Sequence, residues 1–451
     1  MTQTTSADVR LPPAPRWPQI AQDIAYLTRG QQLMQALYRR FGTAFSMRLP
    51  FFGPAVVISD PALAKELFKH PTDAVRGAEP NLGLVLGPGS SFGLQGEKHL
   101  RHRRLLLPPF HGDRMRAYEG LIEAETRQEI ADWPEGQEFP VRESMMRITL
   151  NTILRGVFGA EGAEFDALRT LMPKMIKLGS RLVLVPSLHR DFGRWSPWRR
   201  LGAMREELDA IFGALIARAQ SDPALEQRTD VLSLLLQARY DDGDPMSHSD
   251  IGDELFTLLV AGHETTATSL TWAVERLRRH PEVLARLVAE VDDAGETALQ
   301  QAVVHEVLRT RPIIDAVSRE VTAETIRLGP WVIPRGHIVT VNIALVHQNE
   351  EVFPDASAFN PDRFLGNDSP GMYEWVPFGG GTRRCPGAAF ANLEMMVVLR
   401  TVLREFALAP TDAPGEQRQS RGVVFAPRRD GRVVLFRRKP GSEPPAKRGT
   451  G

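Results

Sequence analysis

An unbroken helix-compatible pattern of about thirty residues, from Asp250 to Arg279, limits the folds open to this chain more than any other feature. Ser247 stands at its N-cap position, and Ser247 with Asp250 resembles a capping box in which Asp replaces Glu. Pro281 ends the pattern, after basic residues that suit the C-terminal end of a helix dipole. At ~1.5 Å per residue the helix would be about 45 Å long, enough to cross a domain of this size. We therefore expect one long central helix.

The middle of this helix breaks the rules for a buried helix interior. Residues 261–266 read Ala-Gly-His-Glu-Thr-Thr, and glycine and β-branched threonine are poor helix formers. A local rule that is broken inside an otherwise regular helix points to function. His263 does not begin a zinc-protease motif, because the position of the second histidine is occupied by Ala267. The alternative interpretation is a helix whose polar residues face a buried network.

The only cysteine, Cys385, lies in a glycine-rich segment. Residues 378–387 read Phe-Gly-Gly-Gly-Thr-Arg-Arg-Cys-Pro-Gly. A lone thiol cannot form an internal disulfide, and without context it would be a small buried hydrophobic residue. Here glycines allow a tight turn, arginines flank the thiol, and a helix pattern starts at Ala388. A thiol at a helix N-terminus beside arginine is expected to be a thiolate, and hence a nucleophile or a metal ligand.

The spacing Phe-x-x-Gly-x-Arg-x-Cys-x-Gly resembles the haem-binding loop of the cytochromes P450, where a cysteine thiolate is the proximal ligand of the iron. The resemblance implies haem b (iron protoporphyrin IX) as cofactor, with Cys385 as the metal ligand. Phe378 would pack beneath the macrocycle and Arg383 would pair with a propionate. Gly381 and Gly387 would allow the turn around the sulfur.

The 261–266 segment is similar to the oxygen-binding part of the family's central helix. By that resemblance Ala261 and Gly262 would border the haem, and Gly262 would make room for dioxygen. Thr265 would hydrogen-bond dioxygen, and Glu264 would help to deliver protons from solvent. Cleavage of the O–O bond needs protons from positioned donors, so Glu264 and Thr265 are the candidate catalytic residues.

Charged residues elsewhere match the family's scaffold. Glu306, Arg309 and Arg363 resemble its structural triad, which would hold the cysteine loop through charge-assisted hydrogen bonds. Glu-x-x-Arg alone usually means a solvated helix face. His99 and Arg103, on segment 97–107, and Arg319, which would open the strand after the triad helix, would bind haem propionates. The alternative for each basic residue alone is a surface charge.

Shorter patterns complete the fold class. Further helices are predicted from apolar spacing, at Gln31–Arg40, Asp113–Asp132, Glu143–Phe158 and Leu201–Gln220. Strand patterns are fewer: Phe45–Leu49, Ala55–Ser59, Thr325–Leu328, Trp331–Ile333 and Ile338–Val341. Val423–Ala426 and Val433–Phe436 are expected to pair as a C-terminal hairpin, and the proline-dense residues 9–18 to be extended. We expect a mainly α fold with a small β-sheet subdomain, which matches the cytochrome P450 fold over roughly residues 20–438.

Composition is that of a globular protein, with 42% hydrophobic and 24% charged residues among 451. A formal net charge of zero gives no general attraction to nucleic acid or to a membrane surface. The N-terminus resembles no signal peptide, and no segment approaches the ~18 apolar residues of a membrane span. We expect a cytoplasmic monomer, with one cytochrome P450 domain over residues 1–438 and a disordered tail over 439–451.

The resemblance implies a haem-thiolate monooxygenase that inserts one oxygen atom from O2 into an apolar small molecule. Without a second cysteine for an iron–sulfur cluster, electrons would come from a ferredoxin and a ferredoxin reductase. Five basic residues would form a patch for an acidic partner: Lys98, Arg101, Arg104, Arg384 and Arg400. A peroxide-driven peroxygenase and a haem sensor without turnover are the alternatives, and the Glu264–Thr265 pair argues against both.

The substrate pocket is expected to be lined by mostly apolar segments, at 81–91, 177–187, 258–265 and 313–317. Its candidate residues are Leu258, Ile314, Asp315 and Val317. Asp315 does not match its apolar neighbours, and a buried carboxylate without a partner would cost several kcal/mol. It would therefore either pair with Arg311 or Arg319 outside the pocket, or hydrogen-bond a polar group of the substrate. Steroids, terpenes, fatty acids and aromatic metabolites all fit such a pocket.

Overall fold

The computed structural model describes residues 8–50, 52–78, 80–110, 112, 114–184, 193, 196–293, 295 and 297–438. The first helices are α1 (Gln19–Phe41), α2 (Pro61–Lys69), α3 (Pro80–Leu86), α4 (Gly96–Leu106), α5 (Arg114–Ile130), α6 (Arg142–Gly156) and α7 (Gly162–Leu184). The others are α8 (Pro197–Ser221), α9 (Val231–Gln237), α10 (His248–Leu277), α11 (Pro281–Asp292), α12 (Ala298–Thr310), α13 (Ile343–Val346) and α14 (Ala388–Glu405). The predicted tail at 439–451 lies outside the described residues.

Strands are short and lie mostly near the two ends of the chain. The N-terminal part has β1 (Ala44–Leu49), β2 (Gly53–Ile58), β3 (Val75–Gly77) and β4 (Phe139–Pro140). After α12 come β5 (Ala316–Val321), β6 (Thr325–Leu328), β7 (Trp331–Pro334), β8 (Ile338–Asn342) and β9 (Phe406–Leu408). The last are β10 (Arg418–Arg421), β11 (Val424–Pro427), β12 (Arg432–Val433) and β13 (Leu435–Arg437). The prediction of a mainly α fold with a small β subdomain is confirmed.

Helix α10 is the axis of the helical core. The Ser247 hydroxyl accepts a hydrogen bond from the Asp250 N–H at 3.0 Å, as expected for an N-cap. The helix packs against α6, α8, α12 and α14, so most of its circumference is covered. Its large side chains Phe256 and Trp272 are 2% and 0% exposed. In the described part of the chain, no helix combines the length and the apolar character that crossing a bilayer would require.

A five-stranded sheet in the order β1-β2-β8-β5-β3 forms the β subdomain. β2 and β8 are parallel, and the other neighbours are antiparallel. Leu67 and Phe68 of α2 pack with the apolar side chains of this sheet into a second core. The proline-dense N-terminus is extended beside it, where the Pro13 carbonyl accepts a hydrogen bond from the Ser46 N–H at 2.8 Å. This confirms the extended conformation expected there.

The predicted C-terminal hairpin is wrong. β11 pairs with β10, whereas β12 pairs with β4 and β13 with β9. Asp430 and Gly431, with φ of +59° and +64°, turn the chain between β11 and β12. Their carbonyls accept hydrogen bonds from the Arg142 and Val141 N–H groups, so the turn is attached to the start of α6. Alternating apolar residues predicted strands here, but the pattern holds no information about the partner strand.

Helix α14 buries a carboxylic acid, Glu394, that is 0% exposed. Burial raises the pKa of Glu394 to about 8, and the neighbouring Thr152 hydroxyl opposes this shift only in part. The folded protein therefore holds a proton there between pH ~4.5 and ~8 that the unfolded chain releases. The associated stability is complete below pH ~4.5 and is lost as the pH rises through about 8, by roughly 5 kcal/mol at most.

Glu394→Gln should remove this contribution to the pH dependence. The free energy of unfolding in urea, measured for both proteins at about pH 5.5 and 8.5, checks the prediction, since other titrating groups cancel in the difference. The variant should gain stability relative to the wild type at the higher pH. An equal pH dependence for the two proteins would show that Glu394 is ionised in the folded state.

Candidate active site

Cys385 lies between a 3-10 turn, Gly381–Arg383, and the first residue of α14. Its N–H donates a hydrogen bond to the Phe378 carbonyl at 2.9 Å, which closes the loop around the thiol. Gly381 has a φ of +67°, and a Cβ there would overlap the Phe68 carbonyl, so glycine is required. Gly387 has a φ of −85° and open space beside it, so the turn makes no such demand at that position.

Cys385 has surface exposed to solvent, and Arg103, Arg384 and the Gly387 N–H lie near its thiol. Burial raises the pKa of this thiol, and the Gly387 N–H, Arg103 and Arg384 lower it by less. The arginines and the helix end favour the thiolate, as the sequence indicated, and burial opposes them. Coordination to a metal ion would favour the thiolate further, because a coordinating thiol is deprotonated outright.

A cleft beside the loop gathers positive side chains. It is lined by His99, Arg319 and Arg383, together with Arg76, Gln95 and apolar residues of α2. Burial, Arg383, Arg103 and two further basic side chains lower the pKa of His99 to about 3. Among the described lining residues there is no carboxylate. His99 is therefore neutral near pH 7, and the arginines of the cleft are the groups that fit a ligand with carboxylates.

Two of the residues predicted to bind haem propionates, Arg103 and Arg319, differ in position from what we expected. Arg103 donates a hydrogen bond to the Arg384 carbonyl, so it holds the cysteine loop and does not line the cleft. Arg319 lies in the middle of β5 and does not open it, because the strand begins at Ala316. Its guanidinium donates to the Gly380 carbonyl at 3.1 Å, which fixes it beside the cleft.

The predicted acid–alcohol pair lies in the middle of α10. The Thr265 hydroxyl donates to the Ala261 carbonyl at 2.6 Å. Glu264 forms an ion pair at 2.8 Å with Arg142 of α6, which the sequence did not indicate. Burial raises the pKa of Glu264, while Arg142 and then Arg421 oppose the shift. A carboxylate whose pKa is raised by burial is more easily protonated than one in water, and its cationic partner limits that effect.

Gly262 has a packing role that sequence reasoning missed. A Cβ at this position would lie 3.0 Å from Cδ1 of Ile153, on α6. Glycine therefore allows α6 and α10 to approach closely, and it does so on the side that faces α6. The neighbouring His263 is buried against the same helix, with its Nδ1 3.0 Å from the Thr149 hydroxyl.

Glu306, Arg309 and Arg363 meet as the resemblance implies. The Glu306 and Arg309 side chains are 0% and 1% exposed and share two hydrogen bonds, of 2.6 and 2.7 Å. Arg363 Nε lies 3.8 Å from Glu306. Arg309 also donates to the carbonyls of His347, Ala356 and Ala358, at 2.8 to 2.9 Å. The arginine therefore fixes the backbone that precedes the cysteine loop.

His347 and Trp375 connect this triad to the cysteine loop. Neither residue belongs to a motif that the sequence analysis identified. His347 Nε2 accepts a hydrogen bond from the Val376 N–H at 3.0 Å, while its carbonyl binds Arg309. Trp375 donates to the His305 carbonyl at 3.2 Å and contacts Phe378 edge to face, with ring centroids 6.0 Å apart. Phe378 is thus supported from α12. Only the nearness of Trp375 to the glycine-rich motif could have pointed to it.

Asp315 forms an ion pair, but with a residue that was not considered. Its partner is Arg418, at the start of β10, and not Arg311 or Arg319. Arg418 also donates to the Pro312 carbonyl at 2.5 Å, so the pair attaches the β10–β11 hairpin to the segment before β5. The carboxylate is therefore satisfied within the protein, as the ion-pair alternative required.

The remaining pocket candidates lie around the same region. Val317 packs against the cysteine loop, since a Cβ on Gly379 would be 3.5 Å from it. Leu258 and Ile314 are half-buried against the helical core. Part of the predicted segment 177–187, from 185 onward, lies outside the described residues.

The basic patch is smaller than predicted. Arg101 pairs with Asp242, Arg104 with Asp241 at 2.5 Å, and Arg400 with Glu119 at 2.6 Å. Lys98 and Arg384 are exposed. Carboxylates of this chain therefore neutralise three of the five predicted charges.

Comparisons with known proteins agree with this arrangement. A sequence model of the cytochrome P450 family matches residues 12–431. Putative cytochrome P450 138 of Mycobacterium tuberculosis is 51% identical over 430 residues, which cover 95% of this chain and 97% of that protein. Putative cytochrome P450 135B1 of Mycobacterium bovis is 39% identical over 440 residues, covering 95% and 92%. The structure of retinoic acid bound cyanobacterial CYP120A1 has a TM-score of 0.82 at 23% identity, covering 96% of this chain and all of that chain.

The family match spans the helical core, the β subdomain and the cysteine loop. Identity near one half over almost the full length of both chains is far more than a shared fold requires. The chain belongs to the cytochrome P450 family, whose members are haem monooxygenases.

Proposed function

We propose that the protein is a haem-thiolate monooxygenase that inserts one oxygen atom from O2 into an apolar small molecule, with electrons from a separate ferredoxin and its reductase. The observation that supports this most is the exposed Cys385 in a loop that also borders the cleft containing Arg319 and Arg383. His99, Arg319 and Arg383 would hold the two carboxylates of haem b, and Cys385 would bind its iron. When bound, the haem supplies the redox chemistry that activates O2 for insertion into a C–H or C=C bond. Residues 1–438 would form one domain that acts as a monomer.

Thr265 and Glu264 are assigned to proton delivery. The Thr265 hydroxyl, which donates to the Ala261 carbonyl at 2.6 Å, would serve as the positioned hydrogen-bond donor to dioxygen. Glu264 would accept a proton from solvent, and its ion pair with Arg142 determines which state of the carboxylate is favoured. Proton delivery of this kind serves O2 chemistry, whereas a peroxygenase would receive its oxygen as peroxide with the protons already present.

Thr265→Ala should retain haem and substrate affinity but should uncouple electron use from product. With a surrogate ferredoxin and reductase, the variant should consume NAD(P)H and O2 at a comparable rate and release most of the electrons as hydrogen peroxide. The physical reason is the loss of a positioned donor, an effect of about 100- to 10,000-fold on proton transfer. Oxygen uptake, peroxide and product, measured together, check this.

Thr266→Ala is the matched control, because that threonine points about 100° away around the helix and is buried, 3% exposed. It should remain as coupled as the wild type. If the wild type consumes no O2 with electron donors but converts substrate with peroxide, the peroxygenase alternative holds. If it does neither, the protein is a haem sensor.

For the electron donor, the exposed Lys98 and Arg384 would be the contact points, since the other predicted basic residues are already paired. Arg384 directly precedes the metal ligand, so a partner that binds there would lie close to the thiolate. Electrostatic complementarity of this kind mainly raises the association rate and makes it depend on ionic strength.

A further inference from the structure

The first half of α1 carries a stripe of exposed apolar side chains. Ile20, Ile24 and Leu27 are 73%, 57% and 63% exposed, and at spacings of four and three residues they lie on one face of the helix. Trp17, just before the helix, is 42% exposed. Single exposed apolar residues are ordinary, but three in line on one face, with a tryptophan at its start, mark a surface that contacts something apolar.

The opposite side of this half of α1 attaches it to the protein. Gln22 is buried: its side-chain amide donates to the Trp17 carbonyl at 3.0 Å, and its Oε1 accepts from the Arg48 N–H of β1 at 3.3 Å. Ala25 and Tyr26 pack against the apolar core that α1 forms with the five-stranded sheet. The fold therefore uses the face with Gln22, Ala25 and Tyr26, and leaves the stripe of Ile20, Ile24 and Leu27 uncovered.

The turn between β1 and β2 adds another exposed aromatic side chain near the same end of the helix. It begins at the end of β1, one residue after the Arg48 N–H that binds Gln22. Phe52 in this turn is 44% exposed, and its N–H donates to the Leu49 carbonyl at 3.2 Å. The turn is thus closed by its own backbone, and the Phe52 ring is not needed to hold it.

This part of the chain is strongly basic, although the net charge of the protein is zero. Residues 9–59 contain six arginines and a single carboxylate, that of Asp23. Arg16 and Arg48 are exposed, and within the described part of the chain no carboxylate pairs with either. An apolar helix face beside unpaired arginines is typical of helices that lie in the surface of an anionic bilayer, and tryptophan is enriched at that depth.

We propose that the stripe of Ile20, Ile24 and Leu27, with Trp17, is a lipid-binding surface that attaches the protein to an anionic bilayer. The apolar side chains would enter the boundary between headgroups and acyl chains, while Arg16 and Arg48 would contact the charged headgroups. The two terminal segments outside the described residues, 1–7 and 439–451, hold one large apolar side chain, Met1, so neither supplies an apolar cover. The proposal goes beyond the haem chemistry and does not depend on it.

Flotation of the full-length protein with lipid vesicles tests this surface. The wild type should float with vesicles of phosphatidylglycerol and phosphatidylcholine in equal amounts, and about tenfold more weakly with phosphatidylcholine alone or in high salt, which screens the arginines. Replacing two side chains together, Ile20→Gln and Ile24→Gln, should weaken binding by about 10- to 100-fold at any salt concentration, because less apolar surface leaves water. Arg16→Gln should weaken it by about fivefold, and only at low salt.

Met372→Gln is the matched control. Met372 is 63% exposed, the same fraction as Leu27, but it lies in the turn before the cysteine loop. This variant should float like the wild type. Every side chain replaced in these variants is exposed, so their thermal unfolding midpoints should stay close to that of the wild type, and measuring them shows that each variant is folded.

A wild type that does not float with anionic vesicles would overturn the proposal, and so would a double variant that floats as well as the wild type. Sedimentation velocity separates the remaining alternative: a dimer that the double variant breaks, without vesicle binding, would mean that the stripe joins two copies of the chain. None of these measurements uses haem or turnover. Failure of the proposed function would appear elsewhere, as the absence of a thiolate-type spectrum with carbon monoxide.

Discussion

Cys385→Ser should abolish the strongly red-shifted Soret band of the reduced carbon monoxide complex. An alcohol donates far less electron density to iron than a thiolate does, and the band depends on that donation. The structure places Cys385 in the loop that borders the cleft of arginines, with Arg103 and Arg384 near its thiol. Absorption spectra of the reduced protein with and without carbon monoxide provide the measurement.

Arg384→Ala is the control for this experiment. It changes the neighbouring residue and one of the charges near the thiol, but leaves the sulfur, so the red-shifted band should remain. Haem content should be measured for each variant, because a serine variant that binds no haem would also lack the band. A serine variant that binds haem and keeps the band would show that Cys385 is not the ligand.

Glu306→Ala and Arg309→Ala should each give protein that fails to retain haem. Removing one partner leaves the other charge buried and unpaired, which costs about 3–5 kcal/mol, a large part of the stability of a typical domain. Arg309 would lose its carboxylate, and in the reverse variant three backbone carbonyls would lose their donor. Haem content per protein and the thermal unfolding midpoint check this result.

Arg286→Ala provides a matched control in the same region. Arg286 pairs with Asp362, next to Arg363, but both side chains are about half exposed, at 48% and 50%. Exposed pairs of this type contribute only about 0–1 kcal/mol, so haem content and stability should remain close to wild type. Normal holoprotein from Glu306→Ala would show that the triad is not needed to retain haem.

Local patterns predicted the elements well, because helix and strand periods depend on residues near in sequence. The long helix came out within two residues of its observed start at His248 and end at Leu277. Contacts between distant parts of the chain were not predictable in the same way. Glu264 meets Arg142 across 122 positions, and Asp315 meets Arg418 across 103. Nothing in the spacing of single charged residues indicates such partners.

In the candidate site, too, some features were predictable from the sequence and others were not. The cysteine loop was anticipated because it is a short motif with fixed spacing, and the triad because the order of Glu306, Arg309 and Arg363 resembles that of the family. The support for Phe378 was not, since His347 and Trp375 act through ring packing and backbone hydrogen bonds that have no sequence pattern. Gly262 was assigned to the oxygen-binding side of α10, but the structure shows that its missing side chain faces Ile153 of α6. A glycine inside a helix indicated that position 262 has a special role, but it did not indicate which role.

Helix α10 carries two groups of polar residues on one unbroken helix. Glu254 accepts a hydrogen bond from the Ser91 N–H, and Glu264 and Thr265 lie about 15 Å further along. A tilt or a shift of the helix displaces both together, because an unbroken helix has no hinge between them. A substitution that tilts or shifts α10 at the level of Ser91 is therefore expected to move Glu264 and Thr265 as well. The loops that face α10 can change in sequence without this coupled movement.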